Sequence, residues 1–180
     1  KIPFVHTEHT LIAEYAHYMP LLHSSVRSYL IWRVRTFCNR SDRVIAPSPA
    51  MKQTLEDYGV RIPISVNPTG INVGEYQRID DRAARTRWQI PEKAKILMYV
   101  GRIAEEKNIT VILEVFRHLA RKREVHLMLV GSGPEEARYK AWVERHNLTQ
   151  KVTWTGMLPH AEVIKLFGVA HIFLFPSVTD

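Results

Sequence analysis

Short apolar runs alternate along this chain with segments whose apolar positions recur every three or four residues. Ile96–Val100 and Val125–Val130 are nearly unbroken apolar stretches, the pattern of strands covered on both faces of a parallel sheet. Weaker runs at Ile2–His6, Arg43–Ala46, Ile62–Asn67, Val152–Thr155 and His171–Phe175 predict further strands. Between them lie helical patterns. Ser48-Pro49 reads as a cap with proline in the first turn, opening a helix that stops at Gly59. Thr110–Arg123 places Ile112, Leu113, Phe116, Leu119 and Ala120 on one stripe. Two more helices are expected at Pro134–His146 and His160–Phe167. Strand–helix alternation of this kind predicts an α/β protein with parallel sheets built from βαβ units.

The pattern breaks once. Asn67-Pro68-Thr69-Gly70 is turn chemistry, and a polar, Arg-rich stretch, Asp80–Arg87, follows before the sheet pattern resumes at Lys95. Two α/β units are therefore expected, over residues 1–72 and 92–180, joined by a linking region at 73–91. The chain opens on Lys1, already inside a strand, and stops in the loop after its last strand. It reads as a piece of a longer protein, its first unit lacking a beginning and its second an end.

Composition narrows the class. With 46% hydrophobic and 24% charged residues, the 180-residue chain is globular. A single cysteine, Cys38, excludes an internal disulfide and is compatible with a reducing compartment. No apolar run approaches the ~20 residues that span a bilayer. The net charge of +7 is unevenly placed: Leu21–Arg40 holds Arg27, Arg33, Arg35 and Arg40 with no acid, interleaved with Tyr29, Trp32 and Phe37. Such a segment suits an anionic lipid surface or nucleic acid, and equally a plain solvated helix face. The basic residues are not grouped with a nucleic-acid reading motif, so nucleic acid is not an expected partner.

Candidate chemistry gathers where strands end. Gly101 closes one apolar run, and the following turn carries Arg102 and Lys107, two cations five residues apart. Gly131-Ser132-Gly133-Pro134 closes the next. In open α/β sheets, ligands bind beyond the carboxyl ends of the strands. Glycine turns with cations there suggest a phosphorylated ligand, with backbone N–H groups of the second turn as donors. The competing reading pairs Arg102 and Lys107 with Glu105 and Glu106 as ordinary surface ions. Glu136 stands where the dinucleotide fingerprint has its third glycine, so NAD is not favoured. His6 and His9 close the first strand. With no Cys or Asp cluster joining them they make no expected metal site, leaving a substrate contact or a structural histidine. Phe175-Pro176-Ser177 and Asp180 place a hydroxyl and a carboxylate after the last strand.

Together these motifs resemble the family 4 retaining glycosyltransferases, whose GT-B fold is built from two Rossmann-like domains. The matching elements are Gly101-Arg102 with Glu106-Lys107-Asn108, Gly131-Ser132-Gly133-Pro134, Thr155-Gly156 and Phe175-Pro176-Ser177, with Ala46-Pro47-Ser48 and Pro68-Thr69-Gly70-Ile71-Asn72 upstream. The resemblance implies a nucleotide-sugar donor, UDP-glucose, with no obligatory metal or other cofactor. It implies that Arg102 and Lys107 grip the diphosphate and that Gly101, Gly131, Ser132, Gly133 and Ser177 shape the donor site. Gly156, Met157 and Leu158 would contact the base, and His9 the sugar near its reacting centre. Asp180 falls where the family usually has the first glutamate of a Glu-x7-Glu element, and its second glutamate lies past the chain's end. His9-Thr10-Leu11 with Glu14-Tyr15-Ala16-His17-Tyr18 resembles the diacylglycerol glucosyltransferase branch. That implies a lipid acceptor and a cytoplasmic enzyme resting peripherally on the inner face of the cell membrane. The piece by itself is expected to be inactive. A soluble or polysaccharide acceptor, or a nucleotide-sugar phosphorylase or epimerase, are the alternatives.

Overall fold

The computed structural model describes residues 2–13, 23–77 and 79–177. The chain divides into two compact units, one up to Ile71 and one from Asn72 onward. Each carries its own parallel sheet.

In the first unit, β1 (Val5–Thr7), β2 (Arg43–Ala46) and β3 (Ile64–Val66) pair in that order, all parallel. Strand β1 is shorter than the run Ile2–His6 suggests and is shifted toward its end. Its ladder starts where Val5 meets Arg43, and Ile2 is almost fully exposed. Helix α1 (His23–Cys38) occupies most of the Arg-rich segment, and α2 (Pro49–Asp57) follows β2. α2 forms as its caps predict. Ser48 Oγ accepts from the Met51 amide at 3.1 Å, Pro49 sits in the first turn, and Gly59 takes the left-handed conformation past the end. Met51 and Leu55 pack with Cys38, Val44, Ala46 and Val60 into one core.

The second unit is doubly wound. Short helix α3 (Arg82–Trp88) leads to β4 (Lys95–Val100), α4 (Ile109–Leu119), β5 (Val125–Val130), α5 (Glu136–Arg145), β6 (Val152–Gly156), α6 (His160–Val169) and β7 (Ile172–Phe173). The strand order is β6-β5-β4-β7 and every pairing is parallel. Alternate residues of the two central strands serve opposite faces. Leu97, Tyr99, Leu127 and Leu129 pack against Ile109, Ile112, Leu113 and Phe116 of α4 and Tyr139 and Val143 of α5. Ile96, Met98, Met128 and Val130 pack against Leu166 and Val169 of α6, with Ala84 and Trp88 of α3 alongside. Two covered faces are why these runs are apolar throughout. Leu119, expected on the buried stripe of α4, is 37% exposed; Ala120, one residue on, takes the inward position.

The Arg-rich stretch is more ordered than its polarity suggests. Arg85 forms an ion pair with Asp81 at 2.7 Å and donates to the carbonyls of Pro91 and Ala94, fastening α3 to the start of β4. Arg87 reaches Glu162 on α6 at 2.8 Å.

His126 lies inside β5, 3% exposed, with Nε2 2.8 Å from Thr153 Oγ1 of β6. Burial, with the nearby Arg85 charge adding, holds its imidazole down to about 4 from 6.5. The unfolded chain therefore binds this proton more readily than the folded one, and stability must fall as pH drops through the interval between those values. The expected loss is up to about 3 kcal/mol, since each tenfold difference in proton affinity is worth about 1.4 kcal/mol. Denaturant unfolding at stepped pH should show it, and His126→Gln should flatten that part of the profile.

Candidate functional site

The carboxyl ends of β4, β5 and β6 are stitched together through their main chains. Gly101 N–H donates to Val130 O, Ile103 N–H to Ser132 O, Glu135 N–H to Ile103 O, and Gly131 N–H to Gly156 O, all at 2.9–3.1 Å. This stitching explains the glycines. A Cβ on Gly131, whose φ is +125°, would lie 2.1 Å from the Gly101 carbonyl oxygen. One on Gly133 would lie 2.2 Å from that of Ile103. Those separations are impossible for real atoms, so both positions require glycine for packing. The expectation that this turn offers its amides to a ligand needs correction in part. The Gly131, Glu135 and Glu136 amides are bonded within the protein, which leaves those of Ser132 and Gly133.

Above these turns lies a cleft of about 560 Å³ lined by Gly101, Arg102, Gly131, Ser132, Gly133, Met157 and Leu158, with Val100, Val130 and Val163 between them. Seven residues singled out from the sequence thus share one cavity. Gly156 shapes its wall through the bond to Gly131 and a left-handed φ of +67°.

Lys107 and Ser177 meet beside it. The chain places β5 and β6 on one side of β4 and then crosses back to lay β7 on the other, so the strand order reverses between β4 and β7. Such a switch point is where doubly wound sheets bind ligands. Lys107 follows β4, Ser177 follows β7, and Lys107 Nζ donates to Ser177 Oγ at 3.4 Å across that crevice. Arg102 does pair with Glu106, Nη2 to Oε1 at 2.9 Å, as the surface-ion reading anticipates for one cation. Glu106, however, is no surface residue: its side chain is 2% exposed while that of Arg102 is 54% exposed. The Tyr99 hydroxyl donates to the Arg102 carbonyl at 3.0 Å. Burial, and next the charge of Glu106, push that phenol up to about 12, so it stays a donor at neutral pH.

In the first unit, His9 is exposed in the loop after β1. His6 is held structurally, 3.1 Å from a Glu8 carboxylate oxygen and edge-on to Phe37. The expectation that no cysteine joins this region fails. Cys38, at the end of α1, brings its Sγ within 4.8 Å of the His6 and Glu8 ligand atoms. The two are far apart in sequence, which hides the grouping. Burial, then Glu8, push the Cys38 thiol up to about 11, so it remains protonated. Tyr29 and Trp32 stack 5.9 Å apart on α1 and are about half exposed. Asp180 and the run Glu14–Tyr18 lie outside the described residues.

A four-stranded doubly wound sheet with glycine turns and cations at its switch point is an α/β unit arranged to receive a ligand beyond the carboxyl ends of its strands. The sequence pattern of the glycosyl transferases group 1 matches residues 80–180, and that of glycosyltransferase family 4 matches residues 1–75. The chain belongs to the group 1 glycosyl transferases. It is 31% identical, over its full length, to 42% of the alpha-monoglucosyldiacylglycerol synthase of Streptococcus pneumoniae. It is 29% identical over 99% of its length to 41% of the D-inositol 3-phosphate glycosyltransferase of Segniliparus rotundus. The chain thus spans about two fifths of these relatives. Among solved structures, Anabaena HepE in complex with UDP-glucose superposes with a TM-score of 0.79 at 17% identity, over 97% of this chain and 47% of that one. The sucrose-phosphate synthase of Thermosynechococcus elongatus gives 0.78 at 24% identity, over 96% and 44%. The fold is that of the GT-B glycosyltransferases.

The glycine packing carries a direct test. Gly133→Ala should destabilise the second unit by about 1–3 kcal/mol, the usual cost of overpacking. A thermal melt unchanged from wild type would show that the two turns can separate without penalty.

Proposed function

We propose that this chain is part of a retaining glycosyltransferase that moves glucose from UDP-glucose to a hydroxyl of a diacylglycerol-type lipid. The observation that carries the donor half is the cleft. Two glycine turns, Arg102 and the loop after β6 line one cavity, and Lys107 sits at the adjoining switch point. As the sugar–phosphate bond breaks, negative charge grows on the departing diphosphate. Arg102, Lys107 and the amides of Ser132 and Gly133 are the groups assigned to stabilise it. Each charge-assisted bond contributes roughly 1.5–3 kcal/mol. Met157, 77% exposed, and Leu158 supply apolar surface for the base. Cations do the neutralising, so the proposal includes no obligatory metal. His9 is assigned a contact to the sugar and Asp180 contacts to its hydroxyls. No protein nucleophile is invoked; the leaving phosphate acts as base on the face of the sugar where the acceptor attacks.

The lipid acceptor rests on the relative named for diacylglycerol glucosylation and on α1. That helix presents Arg33 with Tyr29, Trp32 and Phe37, and Arg40 just past its end, around a cavity of about 700 Å³. Aromatic rings with cations suit the boundary between anionic headgroups and acyl chains. On this reading the enzyme works peripherally on the inner face of the membrane; no described helix is long and apolar enough to cross one. The relative named for inositol phosphate marks a soluble alcohol as the second reading.

Radiolabelled UDP-glucose supplied to the full-length protein with diacylglycerol vesicles should deliver label to the organic phase. Label that reaches only a water-soluble alcohol would move the acceptor to the second reading. Arg102→Ala and Lys107→Ala should each lower turnover by roughly 10²–10³, the cost of removing a preorganised donor, with far-ultraviolet circular dichroism unchanged. Near-normal turnover in the folded Lys107 variant would sink the diphosphate assignment.

A further inference from the structure

Glu106 is out of place for a residue in a turn between charged neighbours. Among the described residues it is one of two buried carboxylates, and burying a carboxylate is costly unless its hydrogen-bonding capacity is met. What it gains is a direct contact with Arg102 and, through Ser177, a link to Lys107. Its carboxylate accepts from Arg102 Nη2 at 2.9 Å. Its main-chain carbonyl accepts from Ser177 Oγ at 3.4 Å, and the same Ser177 Oγ accepts from Lys107 Nζ. Arg102 is held at its other end as well, where its carbonyl takes the Tyr99 hydroxyl.

We propose that Glu106 is the positioning residue of the anion site, setting Arg102 through its side chain and Lys107 through its main chain and Ser177. The inference rests on the donor-site reading given above and adds the element that orders its two cations. A guanidinium offers five N–H donors in a rigid fork, so one fixed to a buried carboxylate still presents donors in a set direction. Lysine is a point charge on a flexible stem, and a second anchor is what gives it a place. Neither cation is then left to find the diphosphate by side-chain search.

The charge of Glu106 makes the idea testable by sign. A carboxylate beside an anion site weakens the field that draws the anion in. If Glu106 were only a counter-charge, Glu106→Gln would tighten nucleotide binding. If it positions the cations, the same change loosens binding despite removing a repulsive charge.

The experiment uses the full-length protein, with UDP binding by titration calorimetry and transfer kinetics in parallel. Glu106→Gln is expected to raise the UDP Kd roughly tenfold. It should lower kcat further still, since a misplacement of about 1 Å can cost on the order of 10² in rate. Unchanged or tighter binding in Glu106→Gln overturns the proposal. Ser177→Ala tests the other limb without touching a buried charge, and decides the matter if Glu106→Gln does not fold. If the hydroxyl acts by placing Lys107, its loss adds little once Lys107→Ala is present, and additive losses overturn the proposal. Arg102→Ala and Lys107→Ala serve as references. If neither weakens UDP binding, the donor-site reading itself fails. If both do while Glu106→Gln and Ser177→Ala bind UDP as wild type does, only the positioning role is lost.

Discussion

Main-chain atoms of neighbouring turns in the second unit approach so closely that only glycine fits between them. Gly131 lies against the carbonyl of Gly101, and Gly133 against that of Ile103, at distances that exclude any Cβ. The residue between those two carbonyls is Arg102. Its main chain is therefore bounded by Gly101 N–H on Val130, Ile103 N–H on Ser132 and the Tyr99 hydroxyl on its own carbonyl. A cation carried on this backbone moves only as its side chain moves. Sites built on strand ends that are bonded to one another hold their geometry better than sites on free loops. The cleft is in this sense a product of main-chain packing, with side-chain chemistry added at its rim.

The distribution of charge follows a related logic. An overall charge of +7 suggests a basic surface, yet many of the arginines serve internal ends. Arg85 fastens a helix to a strand, Arg87 joins α3 to α6, and Arg102 is tied to a buried glutamate. Arg117 and Arg138 pair with glutamates one helical turn away. Exposed pairs of that last kind add little to stability. The basic residues that stand with exposed aromatic rings are those of α1, in the other unit. Net charge alone therefore says less about partners than where each cation is spent.

Much of the architecture is legible in the residues alone. β4 and β5 read clearly because helices cover both their faces and leave no polar positions to blur the pattern. α2 reads clearly because Ser48, Pro49 and Gly59 are local signals acting within one turn. The helix Arg82–Trp88 does not, since it is short and polar and depends on Arg85 reaching carbonyls six and nine residues ahead. Leu119 falls on the wrong side of a stripe that both Leu119 and Ala120 could satisfy. The grouping of Cys38 with His6 and Glu8 leaves no trace in spacing, because α1 and β1 meet only in the folded unit.

For the site, local chemistry was enough to put glycines and cations at strand ends and to mark the turns that line the cleft. Periodicity, caps and turn residues act over four or five positions, and a single sequence records them directly. The order β6-β5-β4-β7, the closure of Lys107 onto Ser177 seventy residues away and the burial of Glu106 were decided by tertiary packing. So was the use of the Gly131 and Glu135 amides within the protein rather than on a ligand. Each depends on which distant atoms come to lie within hydrogen-bonding distance, about 3 Å. That is settled only when the whole sheet and its helices are in place.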